Sequence, residues 1–170
     1  GAAFLVVTAA SDIQSPVYFL FNTQTKKLSL LGSTRPWLDS RAMAGTQDFV
    51  RVKVRDGMEI PTYVTKPKGK GPWPTVMMVH GGPNLRGHMW GFNAVNQFLA
   101  SRGYMVIETE FRGSEGYGDT LFKAGFKKWG LTMQDDVTDV TRWAIANNTA
   151  DPKRIAIAGG SYGGYATMLG

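Results

Sequence analysis

A serine flanked by glycines lies near the end of the sequence, in the stretch GGSYGGY that begins at Gly159. The apolar residues RIAIA before it predict a strand, and the residues after it predict a helix. Between these elements, Gly-x-Ser-x-Gly is typical of a sharp turn that exposes a nucleophile, because Gly159 and Gly163 have no Cβ to collide across it. We therefore predict that Ser161 is a nucleophile and that the amide of Tyr162 stabilises an oxyanion. The alternative is a glycine-rich turn with an incidental serine.

A second glycine-rich turn, VHGGPN at residues 79–84, follows the apolar run PTVMM. Paired glycines at the end of a buried strand can direct an amide toward the serine. We predict that Gly82, with Gly81 as the neighbouring candidate, supplies the second oxyanion donor. A plain strand-to-loop turn is the alternative. His80 belongs to this turn, and we interpret it as a residue that shapes the turn or lines a substrate pocket, not as a general base.

A nucleophilic serine needs a general base, and the chain contains two histidines, His80 and His88. His88 lies in a predicted loop beside Arg86, where a surface or hinge position is the simpler interpretation. Four acidic residues precede Ser161 or occupy predicted caps and turns, and none is assigned to a catalytic triad: Asp135, Asp136, Asp139 and Asp151. Two histidines without matching carboxylate spacing, in a chain without cysteine, predict no metal site, and no cofactor is expected.

A polar, glycine-rich loop, FRGSEGYGD at residues 111–119, follows another predicted strand. Loops at the strand ends of an open α/β sheet line the ligand pocket. Arg112 and Glu115 are therefore candidate pocket residues, and for both the alternative is a role in holding the loop.

After Phe49, predicted strands and helices alternate, and these elements carry the candidate residues at their ends. FVRVKVRDG and MEIPTYVTKP predict a hairpin, because Asp56-Gly57 is a tight-turn signal. The apolar runs PTVMMV, YMVIETEF and RIAIA predict strands, with helices between them. The first helix carries Val95, Phe98 and Leu99 on one side. The second has Thr132 as a candidate cap and one apolar stripe: Met133, Val137, Val140 and Ala144. This alternation predicts an α/β fold with an open sheet that is parallel in its core.

The first 45 residues follow a different pattern. FLVVTAA predicts a strand, and PVYFLFNTQTKKLSLLG predicts a hairpin around a polar turn at residues 22–27. Residues 17–21 are apolar at every position, so we expect both faces of that strand to be buried. The apolar runs typical of strands end in the stretch STRPWLDSRAMAG, which contains a proline and small residues and therefore indicates a domain boundary. We predict that residues 1–45 end one domain and that residues 46–170 begin another.

Composition excludes several classes of protein. Of 170 residues, 43% are hydrophobic and 19% charged, an ordinary globular balance. The net charge of +6 comes from scattered Lys and Arg whose clusters have no interleaved aromatic platform, so nucleic acid is not an expected partner. No apolar run approaches the ~18 residues of a membrane span, so no membrane partner is expected. Without a visible targeting signal, cytoplasmic and bacterial periplasmic locations stay open, as does the oligomeric state.

These motifs, in their order and spacing, resemble the prolyl oligopeptidase family of serine peptidases, and within it the acylaminoacyl-peptidase and dipeptidyl-aminopeptidase-like branch. The segments that carry the resemblance are VHGGP, FRGSEGYG, Trp129-Gly130 and DPKRIAIAGGSYGGY. The resemblance implies an α/β-hydrolase fold, of which residues 46–170 form the N-terminal part. Residues 1–45 would then be the remnant of a β-propeller, the domain that in this family covers the active site and admits short peptides.

By position, the resemblance implies that Ser161 is the nucleophile and the Tyr162 amide one oxyanion donor. Prolyl oligopeptidase itself uses a tyrosine side chain as the other donor, from the strand end where this chain has His80, so a backbone amide such as that of Gly82 is expected instead. The family's triad Asp and His follow the serine and are not found in this chain. The implied activity is hydrolysis of oligopeptides. The alternatives are a carboxylesterase of the same fold and a catalytically inactive chain.

Overall fold

Two β-sheets and four α-helices make up residues 1–43 and 45–170, which the computed structural model describes. Ala44, within the predicted segment 1–45, lies outside the described residues. The strands are β1 (Phe4–Ala9), β2 (Val17–Asn22), β3 (Leu28–Ser33), β4 (Gln47–Lys53), β5 (Glu59–Thr65), β6 (Trp73–Val79), β7 (Met105–Thr109) and β8 (Ala150–Gly159). The helices are α1 (Ala94–Ser101), α2 (Asp119–Ala124), α3 (Thr132–Ala146) and α4 (Tyr162–Leu169), with a 3-10 turn at Ser40–Ala42. Along these described ranges, no helix has the length and apolarity needed to cross a membrane.

The larger sheet has five strands in the order β4-β5-β7-β6-β8. β4 and β5 form the predicted antiparallel hairpin, and β5 also pairs antiparallel with β7. β6 runs parallel to both β7 and β8, which gives the predicted parallel core within a mixed sheet. Because parallel strands end at the same edge, the loops after β6, β7 and β8 gather there.

Helix α3 covers one face of this sheet with the predicted apolar stripe, and all four of its residues are buried: Met133, Val137, Val140 and Ala144. They join one apolar cluster with strand residues such as Met77 and Ile107. The prediction that Thr132 caps this helix is wrong, since the cap position is Leu131 and makes no capping hydrogen bond. The helix starts at Thr132 itself, one position too late for its side chain to cap the free amides.

The smaller sheet is antiparallel in the order β1-β2-β3 and contains the predicted hairpin. The expectation that both faces of β2 are buried is wrong, because Tyr18 is exposed and the rest of the strand is only half-buried. One face is apolar across all three strands: Leu5, Val7, Phe19, Phe21, Leu28 and Leu30. Leu30 on this face is 66% exposed. An apolar strand is buried only when a second layer covers it, and its own sequence does not supply that layer.

Helix α1 turns polar residues toward the rest of the chain. Its predicted apolar side is largely open, with Val95 and Phe98 exposed. The buried residues are Asn96, Gln97 and Ala100. Gln97 donates hydrogen bonds to the carbonyl oxygens of Asp12 and Gly45, so α1 connects the segment after β1 with the segment before β4.

Candidate active site

Ser161 stands at an exposed corner between β8 and α4. Its backbone has φ 55° and ψ −122°, a conformation that costs a non-glycine residue on the order of 1 kcal/mol or more. The neighbouring glycines make the corner possible. A Cβ on Gly159 would lie 2.5 Å from the carbonyl oxygen of Val79, and one on Gly163 would overlap the same atom. The chain therefore turns here for the steric reason that the sequence pattern indicates.

The turn after β6 lies directly beside this corner. Val79 of β6 is paired with Gly159 of β8, so the two strands end at the same level. A Cβ on Gly81 would lie 3.2 Å from Cβ of Ser161 and 3.7 Å from its Oγ. The following residue, Gly82, has φ +112°, in the left-handed region that favours glycine. Strand register thus brings the two glycine-rich turns together.

Two backbone amides at these turns are free. Tyr162 is the first residue of α4, and the first amides of a helix have no partner within it. Among the described residues, neither the Tyr162 amide nor the Gly82 amide donates a hydrogen bond. The Tyr162 ring lies with its centroid 5.3 Å from that of Phe111 and 5.1 Å from that of Trp129, which anchors the start of α4.

Both ring nitrogens of the buried His80 side chain have hydrogen-bond partners. Its Nδ1 lies 2.7 Å from the carbonyl oxygen of Gly81, and its Nε2 lies 2.9 Å from Oγ of Ser114. The ring stacks on Phe111 with centroids 4.4 Å apart. Burial lowers the pKa of His80 to about 4. Within the described part of the chain no hydrogen bond joins this ring to Ser161.

His88 and two glutamates form a buried polar group behind His80. His88 Nδ1 is paired at 3.0 Å with Glu108 Oε1 and its side chain is 13% exposed, so the surface position is wrong, while the hinge alternative stays a prediction. The carboxylate of Glu110 accepts backbone N–H bonds from His88 at 2.7 Å and from Gly87 at 3.2 Å. Burial raises the pKa of Glu110 to about 7. In the described part of the chain, both ring nitrogens of His80 have partners, whereas Nε2 of His88 is buried without one, and no hydrogen bond joins either ring to Ser161.

Arg112 is held between two carboxylates. Its guanidinium donates to Asp136 at 2.9 and 2.7 Å and to Asp56 at 2.7 Å. The hydrogen bonds to Asp136, and next the one to Asp56, raise the pKa of Arg112, which stays charged. These contacts favour the loop-holding alternative for Arg112. Glu115 is exposed, and its amide donates to the carbonyl oxygen of Leu85 at 3.1 Å.

Sequence reasoning missed Glu108, Glu110 and Ser114, all of which are buried at this edge of the sheet. A signal for the glutamates exists, since they are charged positions within the apolar run VIETEF. Ser114 offers no comparable signal within its polar loop. Despite this density of titratable groups, no set of three or more His, Asp or Glu side chains in the described ranges is arranged to hold a metal ion.

Comparisons with known proteins find related sequences and folds along nearly the whole chain. Residues 90–169 match the sequence model of the prolyl oligopeptidase family. The chain is 37% identical to dipeptidyl aminopeptidase BIII of Pseudoxanthomonas mexicana, over 96% of this chain and 25% of that protein. It is 33% identical to an acylamino-acid-releasing enzyme of Arabidopsis thaliana, over 92% of this chain and 20% of that protein. Its fold is similar to a puromycin-hydrolyzing peptidase of Mycobacterium tuberculosis, with a TM-score of 0.83 and 26% identity over 99% of this chain and 26% of that one.

The chain spans between a fifth and about a quarter of the length of these relatives. A serine motif alone would leave unrelated hydrolases possible, because the motif is short. The alignments instead run through both sheets, and sequence and fold agree along nearly the full chain. The chain belongs to the prolyl oligopeptidase family.

Proposed function

We propose that Ser161 is the nucleophile of a serine peptidase that hydrolyses oligopeptides, with the amides of Tyr162 and Gly82 as its oxyanion hole. This proposal rests mainly on the contact between the two glycine-rich turns. Ser161 is exposed at its corner, and the Gly81-Gly82 turn lies against it. Free amides on two sides of the serine are the donors that a developing oxyanion requires. Membership of a peptidase family supports a peptide as the substrate.

In the proposed reaction, Ser161 Oγ attacks the scissile carbonyl carbon while its proton passes to a general base. The carbonyl oxygen becomes an oxyanion that the two amides bind. The intermediate then collapses, the C–N bond breaks, and the leaving amine takes the proton from the base. Water hydrolyses the resulting ester on Ser161 by the same steps. The positive end of α4 adds to the stabilisation of the oxyanion.

The general base comes from outside these 170 residues in this proposal. His80 is bonded at both ring nitrogens, and a pKa of about 4 makes it a poor base near neutral pH. His88 is paired with Glu108 through Nδ1, and in the described part of the chain its buried Nε2 makes no hydrogen bond to Ser161. We infer that the histidine and aspartate of the triad belong to other parts of a longer protein. The 170-residue chain alone is then inactive, because a serine hydroxyl without a base is a weak nucleophile.

We assign residues 46–170 to the N-terminal part of an α/β-hydrolase catalytic domain and residues 1–45 to the end of a β-propeller. The parallel strands β7, β6 and β8, with the serine at their edge, support the first assignment. The separate antiparallel sheet supports the second. The two parts meet where the Asp12 carboxylate accepts the amide of Gln47 at 2.8 Å. A propeller at this position would admit only short peptides.

The test compares variants of the longer protein on a chromogenic dipeptide anilide and on an activated ester. Ser161→Ala should lower kcat by more than about a thousandfold, because loss of a nucleophile removes the covalent route. Ser101→Ala, which alters an exposed serine of α1, is the matched control and should keep full activity. A Ser161→Ala variant with more than about a thousandth of wild-type turnover would refute the assignment. If the protein hydrolyses the ester but not the anilide, and does so only with Ser161 present, the activity is that of a carboxylesterase and not of a peptidase.

A further inference from the structure

The peptide group between Gly81 and Gly82 is held by a side chain of its own turn. Its carbonyl oxygen lies 2.7 Å from Nδ1 of His80. The peptide is trans, so the Gly81 C=O and the Gly82 N–H point in opposite directions within one rigid plane. The orientation of the His80 ring therefore sets the direction of the Gly82 amide.

This arrangement requires one particular tautomer of His80. A carbonyl oxygen only accepts, so the bond to Gly81 needs the ring proton on Nδ1. Burial keeps the pKa of His80 at about 4, so the ring is neutral at pH 7 and carries a single proton. Nε2 is then an acceptor, and the hydroxyl of Ser114 at 2.9 Å is placed to donate to it.

A buried carboxyl group competes for the same nitrogen. Glu110 Oε1 lies 3.8 Å from His80 Nε2, and an ionised carboxylate there favours a proton on Nε2. That tautomer would turn an Nδ1 lone pair toward the Gly81 carbonyl oxygen and break the bond. Both Ser114 and Glu110 are 0% exposed, so water does not compete. Ser114 is the closer group, while the Glu110 carboxylate already accepts two backbone amides, those of Gly87 and His88.

We propose that Ser114 is a positioning residue for the oxyanion hole: its hydroxyl donates to Nε2 of His80, keeps the ring proton on Nδ1, and thereby directs the amide of Gly82. The kinetic consequence rests on the proposed function. The tautomer does not, because it is a property of the folded chain and can be measured without turnover.

The first test is NMR of ¹⁵N-histidine at pH 7. It uses the 170-residue chain, which contains two histidines, so that His88→Gln leaves the signals of His80 alone. We expect His80 to carry its proton on Nδ1, and Ser114→Ala to add a population protonated on Nε2. Ser114→Cys, with similar volume and a weaker donor, should give an intermediate population and serves if the alanine variant does not fold. Ser101→Ala should leave the spectrum unchanged. A wild-type proton on Nε2, or wild-type signals in both Ser114 variants, would overturn the inference.

The second test is kinetic and uses the longer protein. Ser114→Ala should lower kcat about tenfold with little change in KM, because an oxyanion donor acts mainly in the transition state. Ser101→Ala should change neither constant. A lower kcat without a change of tautomer would contradict the positioning role of Ser114. A changed tautomer with unchanged kcat would instead contradict Gly82 as an oxyanion donor, even if Ser161 is the nucleophile.

Discussion

The two sheets are built from similarly apolar strands, yet only the larger sheet has mostly buried strands, which are β5, β6 and β7. Met105 and Ile107 of β7 are 0% exposed, whereas every residue of β1 is exposed. The difference is the second layer. Helix α3 packs its apolar stripe into the core of the five-stranded sheet, while the apolar face of the three-stranded sheet is open at Leu30. An apolar run therefore identifies a strand, and its burial depends on residues elsewhere.

The buried sheet also carries the candidate site. The corner at Ser161 and the turn at Gly81 are the ends of β8 and β6, whose register is fixed by backbone pairing. Rigid strand ends can hold a strained serine and two free amides in place. We expect stability and catalysis to depend on the five-stranded sheet, and self-association to depend on the three-stranded one.

The largest effect on stability should come from truncation in the buried sheet. Ile107→Ala should lower the free energy of unfolding by about 3 kcal/mol, since it leaves a cavity in the core. Leu30→Ala removes an exposed side chain of the other sheet and should change that free energy by less than about 0.5 kcal/mol. Urea denaturation followed by tryptophan fluorescence measures both. Equal losses would contradict the contrast between the sheets.

The buried groups behind the candidate site should make stability depend on pH in opposite directions. Burial raises the pKa of Glu110 from 4.5 to about 7, so its contribution to stability is lost as the pH rises through that window. Burial lowers the pKa of His80 from 6.5 to about 4, so its contribution is lost as the pH falls through that window. The two effects oppose each other where the windows overlap.

Single substitutions should separate these two contributions. Glu110→Gln leaves the His80 effect, so stability should fall on acidification by about 1 kcal/mol per pH unit relative to wild type. His80→Gln leaves the Glu110 effect, so stability should fall as the pH rises. Urea unfolding at several pH values between about 4 and 7 measures how the free energy of unfolding changes with pH. Glu115→Gln, at an exposed position, is the control. Parallel curves for all four proteins would contradict the two pKa shifts.

The smallest effect on stability should come from charging the open apolar face. Leu28→Lys with Leu30→Lys should reduce self-association of the 170-residue chain without changing its free energy of unfolding, because exposed apolar surface drives association. Sedimentation velocity measures the association. Gln24→Lys with Ser29→Lys adds the same charge at exposed positions off this face and should have less effect. Equal suppression by both pairs would assign the effect to charge alone.

The corner at Ser161 could be predicted from sequence because its cause is local. The glycines, the apolar strand before them and the helix after them are contiguous. The same holds for the α3 stripe and the β4-β5 hairpin, which follow from residue period and turn chemistry. Each of these features needs no information from distant residues.

The polar interior could not be predicted, because its partners are distant in sequence. Gln97 turns inward because it bonds the carbonyl of Asp12, 85 residues away. Glu108 is buried because His88 and Gln47 meet it there. The short helix α2 was also missed. Distance in sequence, more than chemical type, separates what was predicted from what was not.

We propose that this chain carries the nucleophile and the oxyanion hole but not the general base. Fluorophosphonate labelling followed by peptide mass spectrometry tests it most directly, since the reagent reacts with serines that a base activates. We expect labelling of Ser161 in the longer protein, none in its Ser161→Ala variant, and none in the 170-residue chain. Labelling of another serine in the longer protein would contradict the nucleophile. Labelling of Ser161 in the isolated chain at the same rate would place the base within these residues.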